Sequence, residues 1–269
     1  MITSLAVALL TMVGSGTPQG HGPAQPVTTP PPSVHATHEN VAIVLHGLNS
    51  TVRDFSSTEP GSGLIAGLRA QGWYVIVPEE PYRSVPALIK PALADGGYAY
   101  RAAWDADFAG TLAVNEVPSN ANLMVVGISW GGLHALLAAC DNTAVSEVVV
   151  HDPVVDASNL AEFAGMSLPG LSVTRCAKRF ASMRGEMSYG TLDTRVGVAP
   201  SQALAEAIVS PTMSVVREAE GHETTAADVA TMLVSTAPDI RGVPVDPRRP
   251  RSRRITLART APPRSKKDG

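Results

Sequence analysis

Residues 127–131 (G-I-S-W-G) constrain the fold of this chain more than any other stretch. An apolar, β-branched run over residues 122–126 precedes them and predicts a buried parallel strand. Residues 132–140, which are rich in strong helix formers, follow and predict a helix. A serine between two glycines at a strand-to-helix turn is typical of a nucleophile elbow, which exposes the hydroxyl of Ser129 above the sheet. The glycines are expected there because a side chain at either position would collide with the neighbouring strand or helix.

Other apolar runs alternate with helical patterns along the chain, which predicts an α/β fold with a mostly parallel, doubly wound sheet flanked by helices. Gly72 is expected to end the first of these helices. Strands are predicted over residues 41–45, 73–77, 145–150 and 213–216, with a weaker strand over 180–183, and helices over residues 63–70, 98–114, 203–209 and 225–234.

Composition divides the chain into three parts. Residues 1–38 combine a segment that resembles a secretory signal with a flexible leader rich in Pro, Gly and Thr. Residues 39–243 form the predicted α/β domain, and residues 244–269 form a Pro/Arg-rich tail that is predicted to be disordered. The signal-like segment lacks a basic beginning, so a secreted location is favoured while a cytoplasmic one stays open.

Charge is divided unevenly along the chain. Residues 248–269 hold nine of the 21 basic residues and one of the 24 acidic residues, so the body is distinctly acidic. Such a tail could attach to nucleic acid or an anionic surface, although a solubilising role is the more common one. No apolar run approaches the roughly 20 residues that cross a bilayer. The sequence indicates no oligomeric state, and it leaves open whether Cys140 and Cys176 form a disulfide or two buried thiols.

Ser129 needs a base, because a serine hydroxyl is a poor nucleophile near neutral pH. Of the seven histidines, His222 is the best candidate: it lies in a loop (A-E-G-H-E) between the last predicted strand and a helix. Loops at the carboxyl ends of parallel strands meet at one edge of the sheet, so His222 is predicted to meet Ser129 there. His46, after the first strand, is interpreted as a brace for its own loop.

The base needs a carboxylate to orient it, and three residues between Ser129 and His222 are candidates. Asp193 is favoured, because its loop is expected to lie beside the histidine loop. Asp152 is the alternative acid, although Asp before Pro is a common turn former. Glu186 is a third candidate.

Charge that develops on a reacting carbonyl oxygen needs backbone donors. The N–H of Trp130, at the positive end of the elbow helix, is one predicted donor. The N–H of Leu48, in the loop after the first strand, is the other. Such a donor typically contributes about 3 kcal/mol in the transition state.

The H-G after the first strand, G-I-S-W-G-G, G-T-L-D-T-R-V and E-G-H-E together resemble an α/β-hydrolase over most of residues 40–234. This resemblance implies a mostly parallel sheet of eight or slightly fewer strands and a triad of Ser129, Asp193 and His222. Residues 156–176 lie where this fold often inserts a lid, and they are too few for a large cap domain. The faint strand before Asp193 and the arginine-rich end of the chain depart from the pattern.

The predicted function is a serine hydrolase (esterase- or lipase-like) that cleaves a carboxylic ester or another small acyl substrate, without a metal or cofactor. No H-E-x-x-H or paired-cysteine metal spacing is present in the sequence. Thioester or amide cleavage and a non-catalytic binding protein of the same fold are the alternatives. Apolar pocket walls are expected from Leu48, Trp130, Val154 and Val155.

Overall fold

Six parallel strands form one sheet in the computed structural model, which describes residues 39–236. Their spatial order is β2-β1-β3-β4-β5-β6. The strands are β1 (Asn40–Leu45), β2 (Tyr74–Ile76), β3 (Asn122–Ile128), β4 (Val145–His151), β5 (Arg184–Gly190) and β6 (Met213–Glu218). The predicted parallel sheet is confirmed, with six strands in the described region.

Helices connect successive strands and cover both faces of the sheet. They are α1 (Val52–Ser57), α2 (Gly61–Ala70), α3 (Pro86–Ile89), α4 (Tyr98–Val114), α5 (Trp130–Asp141), α6 (Ala177–Phe180), α7 (Val198–Ala207) and α8 (Ala226–Ser235). Helix α4 has the predicted bounds, whereas α7 begins five residues before the predicted start at residue 203. Pro200 is accommodated in the first turn of α7, where a backbone N–H has no helical acceptor.

The weak strand predicted over residues 180–183 is wrong. Phe180 ends helix α6, and the strand begins four residues later, at Arg184. A hydrophobicity pattern does not predict the beginning of β5, because its first residues are polar. The polar groups are satisfied by distant residues: Arg184 pairs with Glu147 of β4 at 3.0 Å, and Glu186 accepts a hydrogen bond from Ser235 of α8 at 2.7 Å.

Alternation along the strands divides the core into two layers. Val41, Ile43 and Leu45 of β1 pack on the face covered by α4, α5 and α7. Ala42 and Val44 face the opposite way, toward α1, α2 and α8. Both faces of a central strand are therefore buried, which explains why the strands form continuous apolar runs.

Residues 156–176 form no cap domain; they contain four turns of 3₁₀ helix, each three residues long. Phe163, Leu168 and Leu171 bury this segment against the main core. Cys176, at its end, forms a disulfide with Cys140 of α5. Of the two alternatives for the cysteines, the disulfide is the one observed.

No helix within residues 39–236 has the length and hydropathy needed to cross a membrane. The predicted signal-like segment and leader lie outside the described residues, as do the end of the predicted domain (237–243) and the basic tail. The boundaries at residues 38 and 243 stay predictions.

Replacing both Cys140 and Cys176 with alanine is expected to lower the free energy of unfolding by about 3 kcal/mol, because a cross-link restricts the unfolded chain. The two residues are 36 positions apart in the sequence. Urea denaturation measures the difference. As a control, a reductant should destabilise the wild-type protein and leave the double variant unchanged. Equal stability of the two proteins without reductant would contradict this prediction.

Candidate active site

Parallel register places four strand ends side by side. Ile128 of β3 pairs with His151 of β4, His151 pairs with Ser188 of β5, and Gly190 at the end of β5 pairs with Glu218. The loops that follow these strands therefore leave the sheet at one edge. The candidate nucleophile, two of the three candidate acids and the candidate base lie on these loops.

Ser129 lies on a strained turn between β3 and α5, with φ 56° and ψ −115°. A positive φ is unfavourable for a residue with a side chain, so the surrounding structure must hold it. The N–H of Ser129 donates to the carbonyl of His151 at 3.0 Å. Its carbonyl accepts from the N–H groups of Leu133 (3.2 Å) and Val154 (3.0 Å). These contacts fix the turn with the hydroxyl partly exposed.

Glycines on both sides of Ser129 permit close backbone contacts, as expected from the sequence. A Cβ atom at position 127 would lie 2.2 Å from the carbonyl oxygen of Gly131. At position 131, a Cβ atom would lie 2.3 Å from the carbonyl oxygen of Leu45. Both separations are shorter than van der Waals contact, so neither position accepts a side chain.

Three side chains form a continuous hydrogen-bonded chain. The Nε2 atom of His222 lies 2.8 Å from Ser129 Oγ, and its Nδ1 atom lies 2.7 Å from Asp193 Oδ2. Asp193 is buried, and its other oxygen accepts from the N–H groups of Arg195 (2.8 Å) and Val196 (3.2 Å). The carboxylate is thus held by its own loop, while the His222 side chain is 19% exposed. The three predicted residues meet at the predicted edge.

Asp152, the alternative acid, lies close to this chain but bonds elsewhere. Its Oδ1 atom accepts from the N–H of Gly190 at 2.7 Å, and its own N–H donates to the carbonyl of Ser188 at 2.9 Å. Asp152 therefore links the end of β4 to the loop that carries Asp193. Burial raises the pKa of Asp152, and the neighbouring His151 opposes this shift.

Glu186, the third candidate acid, lies within β5 rather than in a loop after it. Its carboxylate accepts from Ser235.

The loop after β1 approaches the elbow from the other side. A Cβ atom at Gly47 would lie 3.8 Å from Ser129 Cβ, so this loop passes directly beside the serine. Within residues 39–236, no backbone carbonyl accepts from the N–H of Leu48 or Trp130. Both predicted donors are therefore free of backbone hydrogen bonds in this region.

A buried carboxylate that was not predicted from the sequence lies near the loop after β1. Glu80 is 3% exposed, lies 2.9 Å from His134 Nδ1 through Oε2, and accepts a short hydrogen bond from Ser84. His46 lies 3.9 Å from the other carboxylate oxygen and 3.1 Å from the carbonyl of Gly47, which agrees with its interpretation as a brace. The signal in the sequence is an acidic pair shortly after a strand.

The same network continues to helix α4. His134 Nε2 lies 3.0 Å from the hydroxyl of Tyr100. Burial, followed by the charge of Glu80, raises the pKa of Tyr100 well above its usual value. Tyr100 therefore stays neutral and can share a proton with His134.

The predicted pocket walls are wrong for three of four residues. Trp130, Val154 and Val155 are at most 2% exposed and belong to the core. Leu48 is only partly buried and can contact a ligand. The apolar character of Trp130, Val154 and Val155 therefore gives no information about the substrate.

Sequence comparison finds no matching family model and no matching curated protein. Solved structures do match. A hydrolase of the α/β superfamily from Xanthomonas campestris superposes with a TM-score of 0.51 at 17% identity, covering 74% of this chain and 96% of that one. An esterase from Pyrococcus furiosus gives 0.51 at 16% identity, covering 73% and 79%. The chain has the α/β-hydrolase fold.

Part of dipeptidyl peptidase 4 from Porphyromonas gingivalis also superposes on this chain, with a TM-score of 0.54 at 17% identity over 73% of this chain and 30% of that one. The resemblance drawn from the sequence motifs is thereby confirmed for the fold. An esterase and a peptidase are both among the similar structures, so the fold alone does not decide which bond is cleaved.

Gly131→Ala is expected to destabilise the protein by about 3 kcal/mol, because the added Cβ would overlap the backbone of Leu45 and force α5 away from β1. Gly110→Ala is the matched control: it lies within α4 with no atom near the added carbon, so a stabilisation of roughly 0.5–1 kcal/mol is expected. Urea denaturation compares them. The prediction fails if the variants shift stability equally.

Proposed function

We propose that this chain is a serine hydrolase that cleaves a carboxylic ester through an acyl-enzyme. The observation that supports the proposal is the hydrogen-bonded chain from Ser129 through His222 to Asp193, with separations of 2.8 and 2.7 Å. A nucleophile, a base within hydrogen-bond reach and a carboxylate that orients the base are the three parts that covalent acyl transfer requires.

In the proposed reaction, His222 Nε2 accepts the proton of Ser129, and the serine oxygen attacks the acyl carbon. Asp193 holds the Nδ1–H of the imidazole and stabilises the imidazolium. The imidazolium then protonates the leaving alcohol. Water, activated by the same histidine, hydrolyses the acyl-enzyme and restores the serine.

The N–H groups of Leu48 and Trp130 are the proposed donors to the oxyanion. Trp130 begins α5, so its N–H lies at the positive end of a helix of 12 residues. Leu48 follows Gly47, which lies beside Ser129. The absence of backbone acceptors for either N–H within residues 39–236 supports this role.

The proposed substrate is a small molecule with an accessible acyl group, because residues 156–176 form short turns rather than a covering domain. Thioester and amide cleavage use the same groups and are the alternatives, together with ligand binding without catalysis. No metal or cofactor takes part in the proposed steps. The disulfide is more usual in an oxidising compartment, which supports the proposal that the protein is secreted.

Ser129→Ala is expected to lower kcat/KM for p-nitrophenyl acetate by about 1,000-fold or more, because the nucleophile is lost. A fluorophosphonate probe should label the wild-type protein at Ser129 and leave the variant unlabelled. The control is Ser57→Ala, on the exposed face of α1, which should match the wild type in both assays. Undiminished turnover by the Ser129 variant would exclude the proposed nucleophile.

Asp193→Asn and Asp152→Asn together identify the acid. The first should lower kcat by about 10,000-fold, because the amide no longer holds the imidazole in its reactive tautomer. The second should lower kcat by less than about tenfold, because an asparagine oxygen can still accept a hydrogen bond from the N–H of Gly190. Steady-state kinetics on the same ester measures both. The reverse order of effects would make Asp152 the acid.

A further inference from the structure

A second cluster of ionisable side chains lies beside Ser129, His222 and Asp193 without including them. One donor atom from each of His151, Glu218, Glu220 and Asp228 lies within 4.8 Å of the others. His151 ends β4 and Glu218 ends β6, which lie on either side of β5, and Asp228 lies in the first turn of α8. The fold therefore brings four potential ligands together from three elements.

This cluster carries an excess of negative charge. No ion pair within residues 39–236 joins a lysine or arginine to Glu218, Glu220 or Asp228. Asp228 is buried and Glu218 and Glu220 are half-buried, and carboxylates that face one another in such a place need a positive charge between them.

His151 directs an unpartnered nitrogen into the cluster. Its side chain is 1% exposed, and its Nδ1 atom is engaged with Ser188 Oγ at 2.9 Å. Its Nε2 atom has no hydrogen-bond partner in the described region and lies 3.9 Å from Asp228 Oδ2 and 3.5 Å from Asp152 Oδ2. The inner oxygens of Glu218 and Glu220 likewise have no hydrogen-bond donor among these residues. Buried polar atoms are rarely left in this state without a ligand.

We infer that His151, Glu218, Glu220 and Asp228 bind one divalent transition-metal ion, Zn²⁺ or Mn²⁺. An imidazole nitrogen together with carboxylates suits these ions, whereas Ca²⁺ and Mg²⁺ take oxygen ligands. Four ligand atoms bound tetrahedrally at about 2.0–2.2 Å lie about 3.3–3.6 Å apart. The four atoms here lie within 4.8 Å of one another, so side-chain movements of about 1 Å bring them to that geometry.

The proposed ion has a structural role, because two of its ligands, Glu218 and Glu220, lie at the start of the loop that carries His222. The carbonyls of Glu218 and Glu220 accept from the N–H groups of Thr191 (2.7 Å) and Leu192 (2.9 Å), which precede Asp193. An ion held by these two glutamates, Asp228 and His151 fixes the base loop and the acid loop against the end of β4. The ion takes no part in bond cleavage.

Metal binding is tested on the full-length chain after treatment with EDTA and dialysis. Isothermal titration calorimetry with ZnCl₂ and with MnCl₂ should detect one equivalent of bound ion for at least one of them, and that ion should raise Tm. Glu218→Gln should weaken this binding by about tenfold or more, because it removes one ligand charge. Glu206→Gln, an equal change of charge on the exposed face of α7, should bind as the wild type does.

The inference is overturned if the wild-type protein binds neither ion stoichiometrically. It is also overturned if Glu218→Gln binds the ion as tightly as the wild type, since that ion lies elsewhere. The readout does not depend on hydrolysis: Ser129→Ala should bind the ion like the wild type, whatever its activity.

Discussion

The contact between the beginning of α5 and the ends of β1 and β3 fixes the turn that carries Ser129, and the other loops of the site are arranged around this turn. Gly127 and Gly131 allow the backbones to meet at distances that exclude a Cβ atom. With the helix so close, the connecting turn must be tight, and Ser129 takes up the unfavourable φ of that turn. The position of Ser129 is thus fixed by backbone packing rather than by contacts of its own side chain. The loops after the neighbouring strands lie around this fixed position.

One buried carboxylate connects the two sides of the elbow. Glu80 contacts His134, which lies one helical turn after Trp130 in α5. Through Ser84, whose carbonyl accepts from the N–H of Asn49 at 2.9 Å, the same segment holds the loop after β1. A carboxyl group buried this deeply needs well-placed partners, so the network favours a single arrangement of loop and helix. The network thus contacts both elements that carry the proposed oxyanion donors, the loop after β1 and helix α5.

Parallel topology explains how much of the site could be predicted from the sequence. The carboxyl ends of parallel strands share one edge of the sheet, so the loops after β3 and β6 were predicted to meet there. The pattern around Ser129 also predicted the strand before it and the helix after it. The same rule could not choose between Asp152 and Asp193, because both follow strands at that edge and lie within 4.8 Å of each other and of His222. The role of Glu80 was not predicted, because its partners are distant in the sequence. Strand β5 was predicted too early in the chain, because its polar residues are satisfied by side chains of other strands and helices.

Substrate choice depends on the loops around the elbow, since the fold accommodates both esterases and peptidases. Arg101 of α4 donates to Asp141 at 2.8 Å and to the carbonyl of Gly170 at 3.1 Å. Together with the disulfide at Cys176, these bonds tie residues 156–176 to α4 and α5, so that this segment cannot swing open as a lid without breaking them. In the proposed reaction, discrimination between acyl groups would therefore come from side chains that are already exposed on the loops of the site. Leu192, which directly precedes Asp193 and is 65% exposed, is one candidate.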